Sequence, residues 1–81
     1  MNIVRLPYNG GFNGNHIYDA DTLIVKNRLG NERRIPPAKW WINKRTPVGE
    51  DAELWERMPH SGRRQIYLDE VVALERVVEP K

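Results

Sequence analysis

The sequence predicts a small α+β domain with two or three short helices and a β-hairpin. Three observations carry that expectation. The chain has 81 residues, the length of one small domain. PPAKWWINKR, VGEDAELWERMP and EVVALERVV each join helix start or stop residues to apolar positions. TLIVK and ERRI flank Leu29-Gly30-Asn31, a turn-forming triplet.

Taken in order, residues 1–6 form a short strand that Pro7 ends. YNGGFNGN, residues 8–15, contains two Asn-Gly dipeptides and is a loop or a pair of tight turns, with Tyr8 and Phe12 as anchors. TLIV favours a strand through its β-branched residues, and the hairpin with ERRI follows. A helix capped by Asp19 or Asp21 and stopped by Gly30 remains open for the same segment.

In PPAKWWINKR, Pro36 or Pro37 suits a first helical turn, and Lys44 and Arg45 suit the negative end of the macrodipole. Adjacent residues on a helix are about 100° apart. The two indoles therefore cannot share one core, and Trp41 is expected inside with Trp40 peripheral. In the next helix Glu50, Asp51 and Glu53 crowd the first turn, Leu54, Trp55 and Met58 form the apolar stripe, and Pro59 is the stop. A turn at Ser61-Gly62 leads to a strand with Ile66 and Leu68 on one face. Asp69 caps the last helix, whose apolar face is Val71, Leu74, Val77 and Val78. Four valines make a strand the alternative there.

The expected core is Ile3, Leu6, Leu23, Val25, Ile35, Trp41, Ile42, Leu54, Trp55, Ile66, Leu68, Val71, Leu74 and Val77. A chain this short buries only about 60 to 65% of its unfolded surface. There is no cysteine for a staple or a structural zinc, so apolar packing or a partner must supply the stability. The N-terminus MNIVRLPYNGG lacks the apolar stretch of a signal peptide, and no window approaches the roughly 20 apolar residues that span a bilayer. A cytoplasmic, single-domain protein without membrane contact is expected.

Catalytic chemistry finds little support. His16, Asp19 and Asp21 in HIYDAD would need to converge to hold a metal, and a polar turn with a capping aspartate explains them as well. The hydroxyl residues form no nucleophile elbow. Glu50 and Glu53 read as dipole partners rather than an acid–base pair. Gly10, Gly11 and Gly14 lack the flanking strand, helix and lysine of a phosphate loop. A non-enzyme without cofactor or metal is expected.

Charge is more informative. The net is +2, yet Lys26 to Arg45 holds seven basic residues against the single acid Glu32, and the chain from Thr46 onward has eight acids against five bases. Such asymmetry suggests a basic face aimed at an anionic partner, although a solvated surface of mixed sign accounts for it equally well. Arg28, Arg33, Arg34, Lys39, Lys44 and Arg45 could neutralise phosphates, and Trp40 could stack on a base. In the structural alternative Trp40 covers apolar surface and the neighbouring lysines snorkel over it.

GRRQIYLDEVVALERV, residues 62–77, resembles the wing and following helix of winged helix-turn-helix proteins of the excisionase and MerR type. In those proteins a basic hairpin of the form G-R-x-x-Y precedes an acidic cap and an apolar helix. The resemblance implies a winged-helix-like fold and DNA binding. PPAKWWINKR would be a helix of the helix-turn-helix unit, with Arg63 and Arg64 as wing residues near phosphates; no base-contacting residue carries over.

A second architecture is a small SH3-like β-barrel drawn through NIVRL, TLIVKN, ERRIP, ELWERM, RRQIYL and VVALERVV. There Trp40, Trp41, Tyr8 and Phe12 would form an aromatic patch that grips a protein. A phage-type small protein that inhibits or redirects a host protein, such as a component of the transcription machinery, is the functional counterpart.

The leading expectation is a regulator of transcription or recombination that binds DNA through Arg28, Arg33, Arg34, Lys39, Trp40, Lys44 and Arg45, helped by Arg63 and Arg64. Alanine at Arg33, Arg34, Lys44 and Arg45 is expected to abolish binding and spare the fold. The sequence sets neither oligomeric state nor base specificity.

Overall fold

The computed structural model describes residues 2–9, 15–43, 53–60 and 62–79. These form seven strands: β1 (Asn2–Pro7), β2 (Thr22–Lys26), β3 (Glu32–Ile35), β4 (Trp40–Asn43), β5 (Glu53–Arg57), β6 (Arg63–Ile66) and β7 (Val71–Val78). All pairings are antiparallel. One sheet has the order β1-β7-β2-β3 and the other β4-β5-β6. The described residues contain no helix longer than two single 3₁₀ turns, Pro37–Lys39 and Leu68–Glu70.

The expected α+β, winged-helix-like fold is therefore overturned, and the alternative of a small β fold fits. PPAKWWINKR begins with extended Pro36, makes a 3₁₀ turn and continues as β4. A proline at the first position suits either kind of turn, and Trp-Trp-Ile then prefers the pleated surface. Of VGEDAELWERMP, residues 53–57 are strand β5, and Glu50 and Asp51 lie outside the described residues. Of EVVALERVV, Glu70 ends the second 3₁₀ turn and VVALERVV is β7, paired on both sides, in line with its valines. Asp69 makes no side-chain cap. The 62–77 segment is thus strand, turn and strand rather than wing and helix.

The β2–β3 hairpin forms as expected. Asn27 accepts the Leu29 and Asn31 amides on Oδ1 at 2.9 and 3.0 Å. Gly30 holds φ at +86°, a left-handed conformation that side-chain-bearing residues rarely take. Phe12, Asn13-Gly14 and Ser61 lie outside the described residues.

The core lies between the sheets. The first contributes Leu23, Val25, Ile35, Val71 and Leu74; the second contributes Trp40, Leu54 and Ile66; the connection after β1 adds Tyr8 and Ile17. Ile42 and Leu68 pack against this cluster. Five expected core residues are not in this cluster: Leu6, Trp41 and Trp55 are half-buried, and the cross-strand partners Ile3 and Val77 are 68% and 53% exposed. The tryptophans are reversed. Trp40 is only 4% exposed and donates Nε1–H to the Asp21 carbonyl at 2.9 Å, whereas Trp41 and Trp55 are half-buried. Strand alternation is the reason: Trp40, Ile42, Leu54 and Ile66 point inward, so Trp41 and Trp55 point outward.

The outer face of the larger sheet is covered by ion pairs. Arg5 on β1 reaches Glu32 on β3 with two hydrogen bonds of 2.8 and 3.2 Å, and Arg34 meets Glu75 at 2.6 Å. Ile24 shares that face by register with Arg34 and is 1% exposed. Long polar stems over an aliphatic residue explain a buried isoleucine on an outward face.

Asp21, 1% exposed, is the one fully buried carboxylate among the described residues. Arg76 grips it with Nε and Nη2, each at 2.9 Å, and the Tyr18 amide donates to it at 2.8 Å. Arg76 also donates to the His16 carbonyl at 2.8 Å and lies 4.4 Å from the Tyr18 ring centroid. Removing one charge of such a pair costs about 3 to 5 kcal/mol, because the partner is stranded. Asp21→Asn is expected to lower the thermal midpoint by roughly 12 °C or more, read by circular dichroism.

Candidate functional site

An open groove of about 830 Å³ lies where the β2–β3 hairpin of one sheet faces β6 of the other. The hairpin supplies Lys26, Asn27, Arg28 and Arg33; β6 supplies Arg64; the segment after it supplies Tyr67, Asp69 and Glu70. Tyr67 is 57% exposed.

The groove is built around a carboxylate that the sequence reading did not single out. Glu56 on β5 faces inward and is largely buried. Arg33 holds it with two bonds of 2.6 and 2.8 Å, joining the two sheets. Arg64 Nε stands 3.7 Å from the same carboxylate, and its Nη2 reaches Glu70 at 3.3 Å. The Arg33 hydrogen bonds hold the Glu56 carboxyl below its ordinary 4.5, against the opposing effect of desolvation. Lys26 and Arg28 make no ion pair among the described residues.

A second feature lies on the outward face of the smaller sheet. Trp41 and Trp55 are direct cross-strand partners, stacked with centroids 5.9 Å apart and planes inclined by 18°. The Arg63 guanidinium lies over both rings, 4.8 Å from Trp55 and 6.0 Å from Trp41.

The sequence-predicted residues thus separate. Arg28, Arg33 and Arg64 come together at the groove. Arg34 is on the opposite face of the larger sheet, paired with Glu75. Lys39 is exposed in the first 3₁₀ turn. Trp40 is in the core, out of reach of any base, rather than at the surface. Arg63 is on the outward face, against the indoles. Lys44 and Arg45 lie outside the described residues. Because Arg33 and Arg34 tie strands together, replacing them is no longer expected to spare the fold.

The aromatic patch drawn from Trp40, Trp41, Tyr8 and Phe12 does not form as drawn. Tyr8 and Trp40 are buried, and Phe12 lies outside the described residues. The sequence reading counted Lys26 in the basic run without naming it a contact residue, placed Trp41 in the aromatic patch without Trp55, and did not single out Tyr67. The signal for the indole pair was available, since WWIN and ELWER read as strands send Trp41 and Trp55 to one face. Of the HIYDAD residues, Asp21 is committed to Arg76, and among the described residues no three His, Cys, Asp or Glu side chains are grouped to hold a metal. Among the same residues no helix is long and apolar enough to cross a membrane. Comparison with protein-family models, with curated proteins and with solved structures finds no match.

The depressed Glu56 pKa has a defined sign. Ionised Glu56 contributes stability at pH values above its ordinary 4.5, and that contribution is lost as pH falls through the lower folded value. Glu56→Gln is expected to be less stable at neutral pH and to lose less on acidification from about pH 5 to pH 3. Urea melts across that range would show the two stability curves converging. Some acid sensitivity remains in the variant, because Arg5 likewise depresses Glu32.

Proposed function

We propose that this is a small non-enzymatic regulatory protein of the cytoplasm that binds nucleic acid, DNA first, at the groove between the β2–β3 hairpin and β6. One observation carries the reading. Arg28, Arg33 and Arg64 come from separate stretches of the chain and converge with Lys26 and the exposed Tyr67 on one groove.

The roles follow from the pairing. Arg33 and Arg64 are oriented by Glu56 and Glu70, so their guanidinium groups are held in place before a ligand arrives. Lys26 and Arg28, which make no ion pair among the described residues, would meet phosphate on the hairpin side of the groove, across from the Asp69 and Glu70 carboxylates. Tyr67 offers a ring to a sugar or base. Each phosphate contact releases counterions, giving a salt dependence of about −0.9 per phosphate on duplex DNA and about −0.7 on a single strand.

A second reading, binding of a host protein such as a component of the transcription machinery, rests on a different observation. Ile3, Val4, Val77 and Val78 are exposed on edge strand β1 and its neighbour β7. An edge strand with an apolar rim can accept another chain.

Lys26→Ala with Arg28→Ala is expected to weaken DNA binding and to flatten the log–log salt slope by about 0.7 to 0.9 per lost phosphate contact, with an unchanged melting curve. Fluorescence anisotropy at several salt concentrations measures both. An unchanged slope would move the site elsewhere. A pull-down from extract that persists after nuclease treatment would favour the protein partner.

A further inference from the structure

We infer that the nucleic acid taken is single-stranded, with bases stacking on the Trp41–Trp55 pair and the backbone crossing the edge of β6 into the groove. The inference rests on the nucleic-acid reading above and names its substrate class.

The argument begins with two arginines. Arg57 and Arg63 are direct cross-strand partners and so share the outward face. Like charges directly opposite are destabilising in a sheet. Neither has an ion pair among the described residues. Of the other six described arginines, Arg5, Arg33, Arg34, Arg64 and Arg76 find carboxylates, and Arg28 does not. Arg63 instead lies over two indoles. An arginine pair with no ion pair, beside an aromatic platform whose Trp55 Nε1–H is taken up by Glu53 at 3.4 Å, matches a ligand that carries both phosphate and base. Single strands are held in this way, by cationic tracks with rings on which unstacked bases lie. Bases in a duplex are already stacked on each other and cannot use the platform.

Strand geometry connects the platform to the groove. β6 is an edge strand of its sheet. Arg63 points outward to the indoles, while its neighbour Arg64 points inward to the groove. A flexible strand bending over that edge meets both; a stiff duplex meets one.

The test is a titration of the whole protein with an oligodeoxythymidylate of about 20 nucleotides and with a duplex of equal length, followed by tryptophan fluorescence and anisotropy. The single strand is expected to bind at least about tenfold tighter and to quench Trp41 and Trp55. Trp55→Ala, and separately Arg57→Ala with Arg63→Ala, should each weaken single-strand binding about tenfold. Trp55→Phe, which keeps a stacking ring, should recover most of the loss. If Trp55→Ala fails to fold by circular dichroism, the comparison of Trp55→Phe with the exposed arginine variants decides. Equal or tighter duplex binding, or variants that bind the single strand as the parent does, would overturn this inference and leave the groove reading intact. No binding of either probe would overturn both, and a protein captured in a nuclease-treated pull-down would then give the partner its class.

Discussion

The Asp21 carboxylate sits where water cannot reach it, and the fold is arranged around that fact. A buried charge persists only when it is paired and hydrogen-bonded. Arg76 supplies the pair from β7, and the Tyr18 amide supplies a further donor. The backbone of the same residue receives the Trp40 indole from β4. One residue thus fixes the segment before β2, the last strand of the larger sheet and the first strand of the smaller one. With Trp40 drawn inward, strand alternation compels Trp41 to face out, where it meets Trp55. The surface platform is a consequence of an anchor on the other side of the strand.

Charge along the sequence and charge on the surface turn out to be different quantities. The middle of the chain is rich in cations and the later part in acids, which suggested a strong dipole. Folding brings these stretches together: Arg33 meets Glu56, Arg34 meets Glu75, and Arg64 meets Glu56 and Glu70. Much of the apparent basic face is spent internally, joining strands. What is left over among the described residues is a smaller set including Lys26, Arg28, Arg57 and Arg63, in two places joined by β6.

Part of this was legible in advance. The β2–β3 hairpin could be read because β-branched TLIV and Gly30 act within a few residues of each other. The six segments of the barrel alternative coincide closely with β1, β2, β3, β5, β6 and β7. The helices misled for a local reason: Leu54, Trp55 and Met58 imitate a helical stripe, and Pro36-Pro37 suits the start of a 3₁₀ turn as well as that of a helix. The resemblance of residues 62–77 to a wing and helix followed the same local pattern, and pairing of β7 on two sides overrode it. At the site, Arg28, Arg33 and Arg64 were visible as cations, but their convergence was not. Glu56 lies 23 residues from Arg33, and Asp21 lies 55 from Arg76. Partnerships at such separations are set by the packing of two sheets, on which local pattern is silent.

The ladder between β1 and β7 runs from Asn2 opposite Val78 to Pro7 opposite Ala73. The outermost described residues of the chain are therefore neighbours on one seam. Tension drawn between those two ends would load the rungs singly, in succession, as in opening a zipper, rather than shearing the whole seam at once. Such peeling would meet the Arg76–Asp21 clasp at the third rung and the Arg5–Glu32 clasp, which ties β1 to the far strand of its sheet, at the fourth.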